Sequence, residues 1–373
     1  NIEALAERGA RAERMIPVMP SKTFVNFYSI ATGLYPENHG MTENAPYDRE
    51  ARTGFVNPMS AQDPFWWQGE PIWITAEQQG LRSHIMFWLG SEVAINGTRP
   101  TVWHPYDHDR PYEERVAEVL SWFDAPIAEQ PRFAAFYMDH VDTVEHRGGV
   151  ETEAEGEAVA RVDALIGELV AGLEARGVMD RATLIIVSDH GMAPISDEKI
   201  ISLDAMIAPD LVHTVWTGTF AGLSPLPGHE AEVEDALIGP HAHGECWTKE
   251  TLPERFGYGT NARVPAIICL AETGWRYETA DMKAWRGAGG DHAAAGGGAP
   301  APRCGHLRPH HHDAGGRCRL RGAAVAGAGG ADGRHHQPQH VVPAGRAPWR
   351  RDRAERRGAE AGPAPLGDPC RNA

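Results

Sequence analysis

Apolar residues are spaced along this chain in two ways. Short continuous runs bounded by turn residues recur at Arg132–Met138 (RFAAFYM), Thr183–Val187 (TLIIV) and Val264–Leu270 (VPAIICL), with Ser83–Trp88 a weaker example. Runs of this length predict buried strands. Between them the spacing changes to three and four. Val159, Val162, Leu165, Ile166, Leu169, Val170 and Leu173 share one face of a helix predicted over Glu151–Arg176, with Gly177 just past its end. Val116, Val119, Leu120 and Phe123 do the same over Glu113–Phe123. Ile2, Leu5 and Ala6 read as the last turns of a helix that Gly9 closes, so the chain opens inside an amphipathic helix. Strands alternating with helices imply an α/β fold, a mostly parallel sheet covered on both faces, with ligands at the carboxyl ends of its strands. The stretch Ile200–Phe256 is less regular and belongs outside that sheet.

The rhythm stops near His292, and composition changes with it. Residues 293–373 hold 13 Arg, no Lys and 6 acids, and no Ile, Phe, Tyr or Met. Such a segment cannot bury a core. Segments such as His310-His311-His312 resemble neither a repeat nor a flexible linker, so this tail reads first as disordered, out-of-frame translation, with a genuine disordered basic tail as the alternative, and 1–292 as the folded domain. The formal charge of -16 therefore divides into +7 on the tail and -23 on the body. An acidic body argues against a nucleic-acid polymer or an anionic membrane as partner. No apolar run approaches the ~20 residues of a membrane span. Only Cys246 and Cys269 lie in the body, too few for a disulfide framework.

Chemistry concentrates at the predicted strand ends. Asp189-His190 follow TLIIV directly in VSDHGM, presenting a carboxylate and an imidazole together; alone, the pair reads equally well as an ordinary turn. After RFAAFYM, Asp142 and His146 are four residues apart and can meet on one face of a turn or short helix, or serve as a helix cap and a surface His. Asp291-His292 closes the body. Mixed N/O donors of this kind suit zinc. Upstream, Pro20 and Ser21 precede Thr23, which can cap a helix over Phe24–Ala31 or present its hydroxyl at a helix N-terminus that also favours phosphate. A hydroxyl needs a base or a metal to become nucleophilic.

The ordered segments PSKTFVNFYSIATGLYPENHGMTEN, FWWQGEPIW, FWLGSEVAINGTRP, DTVEH and VSDHGM resemble the nucleotide pyrophosphatase/phosphodiesterase family of the alkaline phosphatase superfamily. The likeness covers nearly all of 1–292 and none of the tail. It implies an alkaline-phosphatase-like α/β sheet, a two-zinc site (two Zn2+) and a covalent Thr nucleophile. Carried over by motif, Thr23 is that nucleophile and a metal ligand. Asn44 donates to a phosphate oxygen, although an Asn there also suits a turn. Asp189 and His190 bind the zinc that activates Thr23, while Asp142, His146 and His292 bind the second. Phe24 and Tyr106 match the aromatics between which a nucleobase stacks, or are core residues. Two ions hold opposite oxygens of an in-line displacement and place positive charge where the global charge is negative.

Departures from the family pattern are specific. The family's first ligand Asp ends a strand expected upstream of Asn1, and Val141 and Glu145 replace the Pro and Gly of its D-x-x-G-H motif. After the last His, Ala293-Ala294-Ala295 stands where the family continues with Gly-Tyr-Asp. A weakened or inactive truncated product is one alternative. Another is a phosphomonoesterase or sulfatase of the superfamily, though a sulfatase needs a Cys or Ser at the nucleophile motif. Nucleoside triphosphates, dinucleotides, nucleotide sugars and lysophospholipid head groups all remain open as substrates. The resemblance implies a periplasmic or extracellular protein.

Overall fold

Three of the predicted strands make the central sheet. The structure, a computed structural model, describes residues 1–281 and, as backbone only, Arg303–Gly305 and Ala323–Gly329. Strands β1 (Ser83–Met86) and β2 (Phe133–Met138) pair in parallel, Ser83 opposite Phe133 and Met86 opposite Phe136; β3 (Ala182–Val187) lies on the far side of β2. The fourth predicted strand goes elsewhere. β8 (Ile267–Ala271) joins an antiparallel sheet with β4 (Val212–Trp216), β5 (Phe220–Pro225), β6 (Gly239–His241) and β7 (Gly244–Thr248), in the order β6-β7-β8-β5-β4. An unbroken apolar run suits either a buried parallel strand or a strand packed on both faces here, so VPAIICL could not be assigned by pattern alone. Ile200–Phe256 does fall outside the central sheet.

Two strands come from the region read as tail. Arg303–Gly305 pairs antiparallel with Ala193–Ile195, and β9 (Ala323–Gly329) runs antiparallel between β2 and β3. β9 is the one antiparallel member among the described strands of that sheet. The rest of the tail, with its expected disorder, lies outside the described residues, and so does His292.

Helices cover both faces, as the alternation requires. Taken in chain order they are α1 (Ile2–Arg8), α2 (Thr23–Thr32), α3 (Pro36–His39), α4 (Ile72–Gln78), α5 (Tyr112–Ser121), α6 (His140–Gly148) and α7 (Glu153–Ala175). Successive strand residues point to opposite faces. Phe136 and Met138 therefore pack with Val162, Leu165, Ile166 and Leu169 of α7, while Ala135 and Ile85 pack with Phe27 and Tyr28 of α2 and a group of tryptophans, Trp66, Trp67, Trp73 and Trp88. The glycine of FWLGSE explains part of that motif. Gly90 has φ +84°, and a Cβ there would sit 3.1 Å from Tyr28 and 3.2 Å from Trp67.

In the second layer, Cys246 and Cys269 stand opposite one another across β7 and β8 and form a disulfide. The low cysteine count concealed it, because register rather than spacing brings the pair together. Among the described residues no helix is long and apolar enough to cross a membrane.

One buried histidine makes stability depend on pH. His84, on β1, is 6 % exposed and packs edge-on against Trp122, and neither ring nitrogen makes a hydrogen bond among the described residues. Burial, helped by the Arg82 charge, holds its pKa down at about 4 from an ordinary 6.5. A folded pKa below the unfolded one means full stability above pH 6.5, lost progressively as pH falls toward 4. At about 1.4 kcal/mol per pH unit, roughly 2 kcal/mol goes between pH 6.5 and 5. His84→Phe is expected to remove that share, read as a smaller drop in urea-unfolding stability between these pH values. Parallel curves for the two proteins would refute the assignment.

Candidate active site

The loop that leads into α2 is built by Asn26. This buried side chain accepts from the Val18 amide at 2.8 Å and donates to the Pro20 and Lys22 carbonyls at 3.2 and 2.9 Å, folding residues 18–22 back over the first turn of α2. Lys22, not Thr23, is the N-cap residue, and Thr23 is the first residue of the helix. The capping role open to Thr23 is therefore not taken. Its Oγ1 instead lies 3.0 Å from His190 Nε2. The next amide, Phe24 N–H, donates to Asn44 Oδ1 at 2.9 Å. That bond spends the amide oxygen and leaves the Asn44 NH2 as the group available to a ligand at the N-terminus of α2.

An ion pair ties the two segments together. Lys22, beside Thr23, pairs with Glu43, beside Asn44. Burial lowers the Lys22 pKa to about 8. Glu43 also accepts from the Ala45 amide at 2.9 Å, which shapes the turn presenting Asn44. From the antiparallel layer, buried Arg263 donates to the carbonyls of Gly40, Trp66 and Phe65 at 3.0, 2.9 and 2.7 Å and pairs with Asp48. Tyr258 donates to the Thr42 carbonyl at 2.7 Å.

The strand ends bring the remaining donors to Thr23. Asp189 and His190 follow β3 directly, and Asp142 and His146 lie on α6, which starts two residues after β2 ends. His190 Nδ1 is 3.1 Å from the Gly191 carbonyl. A carbonyl only accepts, so Nδ1 carries the proton, and Nε2 faces Thr23. Nε2 is also 3.2 Å from Asp189 Oδ2 and 4.0 Å from Asp142 Oδ1, and His146 Nε2 is 3.5 Å from the same Asp142 oxygen. Asp142 Oδ1 is buried without a hydrogen bond among the described residues. Burial first, and the nearby Asp142 charge, push the Asp189 carboxyl up to about 6. Two close carboxylates around an imidazole whose other nitrogen is committed to a carbonyl form a donor set that suits a cation.

Five of the anticipated ligands and nucleophiles thus converge: Thr23, Asp142, His146, Asp189 and His190. Among the described residues no three His, Cys, Asp or Glu side chains close into a ready-made metal cage. The anticipated sixth, His292, lies outside the described residues. Phe24 packs edge-on against Phe55 at 5.7 Å. Tyr106, 42 % exposed, lies against Phe87 and Tyr137 at 5.5 and 6.3 Å. Pattern reading missed Tyr137, whose phenol is driven well above its ordinary range by burial and by Asp189, Asp142 and Asp139. Its signal was available: it is the penultimate residue of β2, at the strand end where ligands gather.

The profile of the type I phosphodiesterase / nucleotide pyrophosphatase family matches residues 1–297. The chain belongs to this family. An uncharacterized pyrophosphatase/phosphodiesterase of Schizosaccharomyces pombe is 36 % identical over 288 residues, covering 74 % of this chain and 59 % of the yeast protein. A venom phosphodiesterase of Crotalus durissus collilineatus is 35 % identical over 302 residues, 78 % of this chain and 36 % of its own. The chain thus spans between about a third and three fifths of these curated relatives. Among solved structures, murine ectonucleotide pyrophosphatase / phosphodiesterase 5, as an inactive threonine-to-alanine variant in complex with AMP, is similar at TM-score 0.69 and 26 % identity, covering 85 % of this chain and 79 % of that one. Family membership accounts for the motif order in the sequence, from the nucleophile loop through DTVEH to VSDHGM.

Proposed function

We propose that this phosphodiesterase-family chain hydrolyses a phosphodiester or pyrophosphate bond in a small nucleotide-type substrate by transient transfer of the phosphoryl group to Thr23. One observation carries the reading: Thr23 Oγ1 stands at the first turn of α2, 3.0 Å from His190 Nε2 and beside Asn44. In the first step Oγ forms a bond to phosphorus as the leaving-group oxygen departs. In the second, water forms the new P–O bond and returns the hydroxyl to Thr23. Asn44 NH2 and the N-terminus of α2 hold the phosphate oxygens where charge develops. The donor set supports zinc binding, with Asp189, His190 and Thr23 at one ion and Asp142, His146 and His292 at a second. When bound, zinc supplies acidification of the attacking hydroxyl and charge stabilisation of the leaving oxygen. The half-exposed Tyr106 and Phe24 are proposed as the base-stacking walls.

An extracellular or periplasmic location fits the Cys246–Cys269 disulfide, since such bonds persist in oxidising compartments, and fits the venom enzyme among the relatives. The activity is tested by comparing the nitrophenyl ester of thymidine monophosphate with nitrophenyl phosphate. A preference for the diester of at least about 100-fold in kcat/KM, near 3 kcal/mol of transition-state discrimination, is expected. A monoester preference would reassign the chain to phosphomonoester chemistry.

A further inference from the structure

The loop that carries Tyr106 is anchored by a buried charge cluster that the proposed chemistry does not use. Arg115, on α5, is fully buried, and four of the five N–H donors of its guanidinium are spent on this loop and on the end of β2. Nε donates to the Arg110 carbonyl at 2.9 Å, Nη2 to the Asp107 and His108 carbonyls at 3.2 and 2.9 Å, and Nη1 to Asp139 Oδ1 at 3.0 Å. The same cation lies over the rings of Tyr112 and Phe87, 4.4 and 5.0 Å from their centroids. Asp139 is the residue between β2 and α6, three positions before Asp142. It accepts from the Tyr112 hydroxyl at 2.9 Å and the Thr143 hydroxyl at 3.2 Å, and His108 Nδ1 lies 2.8 Å from its Oδ2. Because a carboxylate only accepts, that nitrogen is the donor. The Tyr106 hydroxyl lies 3.4 Å from the same nitrogen, and burial first, then the Asp139 carboxylate, pushes that phenol well above its ordinary range. At its backbone, the Tyr106 amide donates to Glu92 at 3.0 Å.

We propose that Asp139 and Arg115, with His108 as their exposed link, are positioning residues that fix the Tyr106 ring relative to α6 and so set selectivity for substrates bearing a base. The inference rests on the function proposed above. Its physical basis is preorganisation. A half-exposed phenol held at its hydroxyl, its amide and the loop behind it meets a flat ligand without first losing rotamer freedom. Asp139 joins that loop to the helix carrying Asp142 and His146, so the ring and the reacting centre are referenced to one point. Asp139 is a poor first target, because losing it strands a buried guanidinium. His108 is 45 % exposed at its side chain and can be changed without opening the core.

The decisive measurement compares two diesters, the nitrophenyl ester of thymidine monophosphate and base-free bis(nitrophenyl) phosphate, on the unaltered protein, His108→Ala and His108→Gln. The expected result for His108→Ala is a rise of about fivefold to tenfold in KM for the nucleotide ester with kcat little changed. Turnover of the base-free diester is expected to stay level, and His108→Gln, which keeps a donor toward Asp139, to recover most of the loss. Equal effects of His108→Ala on both esters, or none on either, overturn the inference while leaving the phosphodiesterase reading intact. If the unaltered protein hydrolyses neither ester, both readings fall together.

Discussion

Thr23→Ala is expected to lower hydrolysis of the nitrophenyl ester of thymidine monophosphate by at least about 10⁴-fold, since it removes the atom proposed to form the covalent bond. The structure gives reason to expect a clean loss. Thr23 is the first residue of α2 but makes no capping bond, so the helix does not depend on its hydroxyl. The Asn26 and Lys22–Glu43 contacts that shape the loop use other side chains. Thermal stability within a degree or two of the parent protein and largely unchanged metal content by elemental analysis should accompany the kinetic collapse. Residual turnover near the parent value would remove Thr23 from the mechanism and direct attention to a water nucleophile.

The second large effect concerns the ions. Prolonged treatment with a strong chelator is expected to abolish diester hydrolysis, and added zinc to restore it. Asp142 and Asp189 stand close to His190 Nε2 and His146, and a cation held between them would offset the repulsion of the two carboxylates. Binding to the folded state alone also raises stability, by about 4 kcal/mol when free zinc stands a thousandfold above its dissociation constant. A rise in melting temperature on zinc addition should therefore track the recovered activity. Full activity after verified metal removal would rule out a metal-assisted mechanism for this chain.

Much of the site could be read from local sequence. Asp142 and His146 sit four apart on α6, and Asp189-His190 follow β3, because those placements depend only on helix period and strand direction. The contact between Thr23 and His190 spans 167 positions, and only family resemblance suggested it. Long-range polar placement was harder. Arg115 falls within an amphipathic helix where an arginine reads as a solvated residue, yet it is fully buried because Asp139 and three loop carbonyls meet it there. VPAIICL carries no mark that distinguishes a parallel from an antiparallel neighbour, and the Cys246–Cys269 pairing follows from the register of β7 on β8. Local periodicity specifies elements. Their partners are specified by contacts that no window of sequence contains.

The hold of Arg263 and Tyr258 on residues 40–42 gives the segment that presents Asn44 a borrowed rigidity. Both side chains come from the region around the antiparallel sheet, more than 200 positions downstream of the carbonyls they grip. Damage to that distant layer, from a lost disulfide to a misplaced strand, would register first as poor turnover while every side chain around the scissile bond was still present. Genetic variation far from the chemistry would then carry the phenotype of a catalytic lesion.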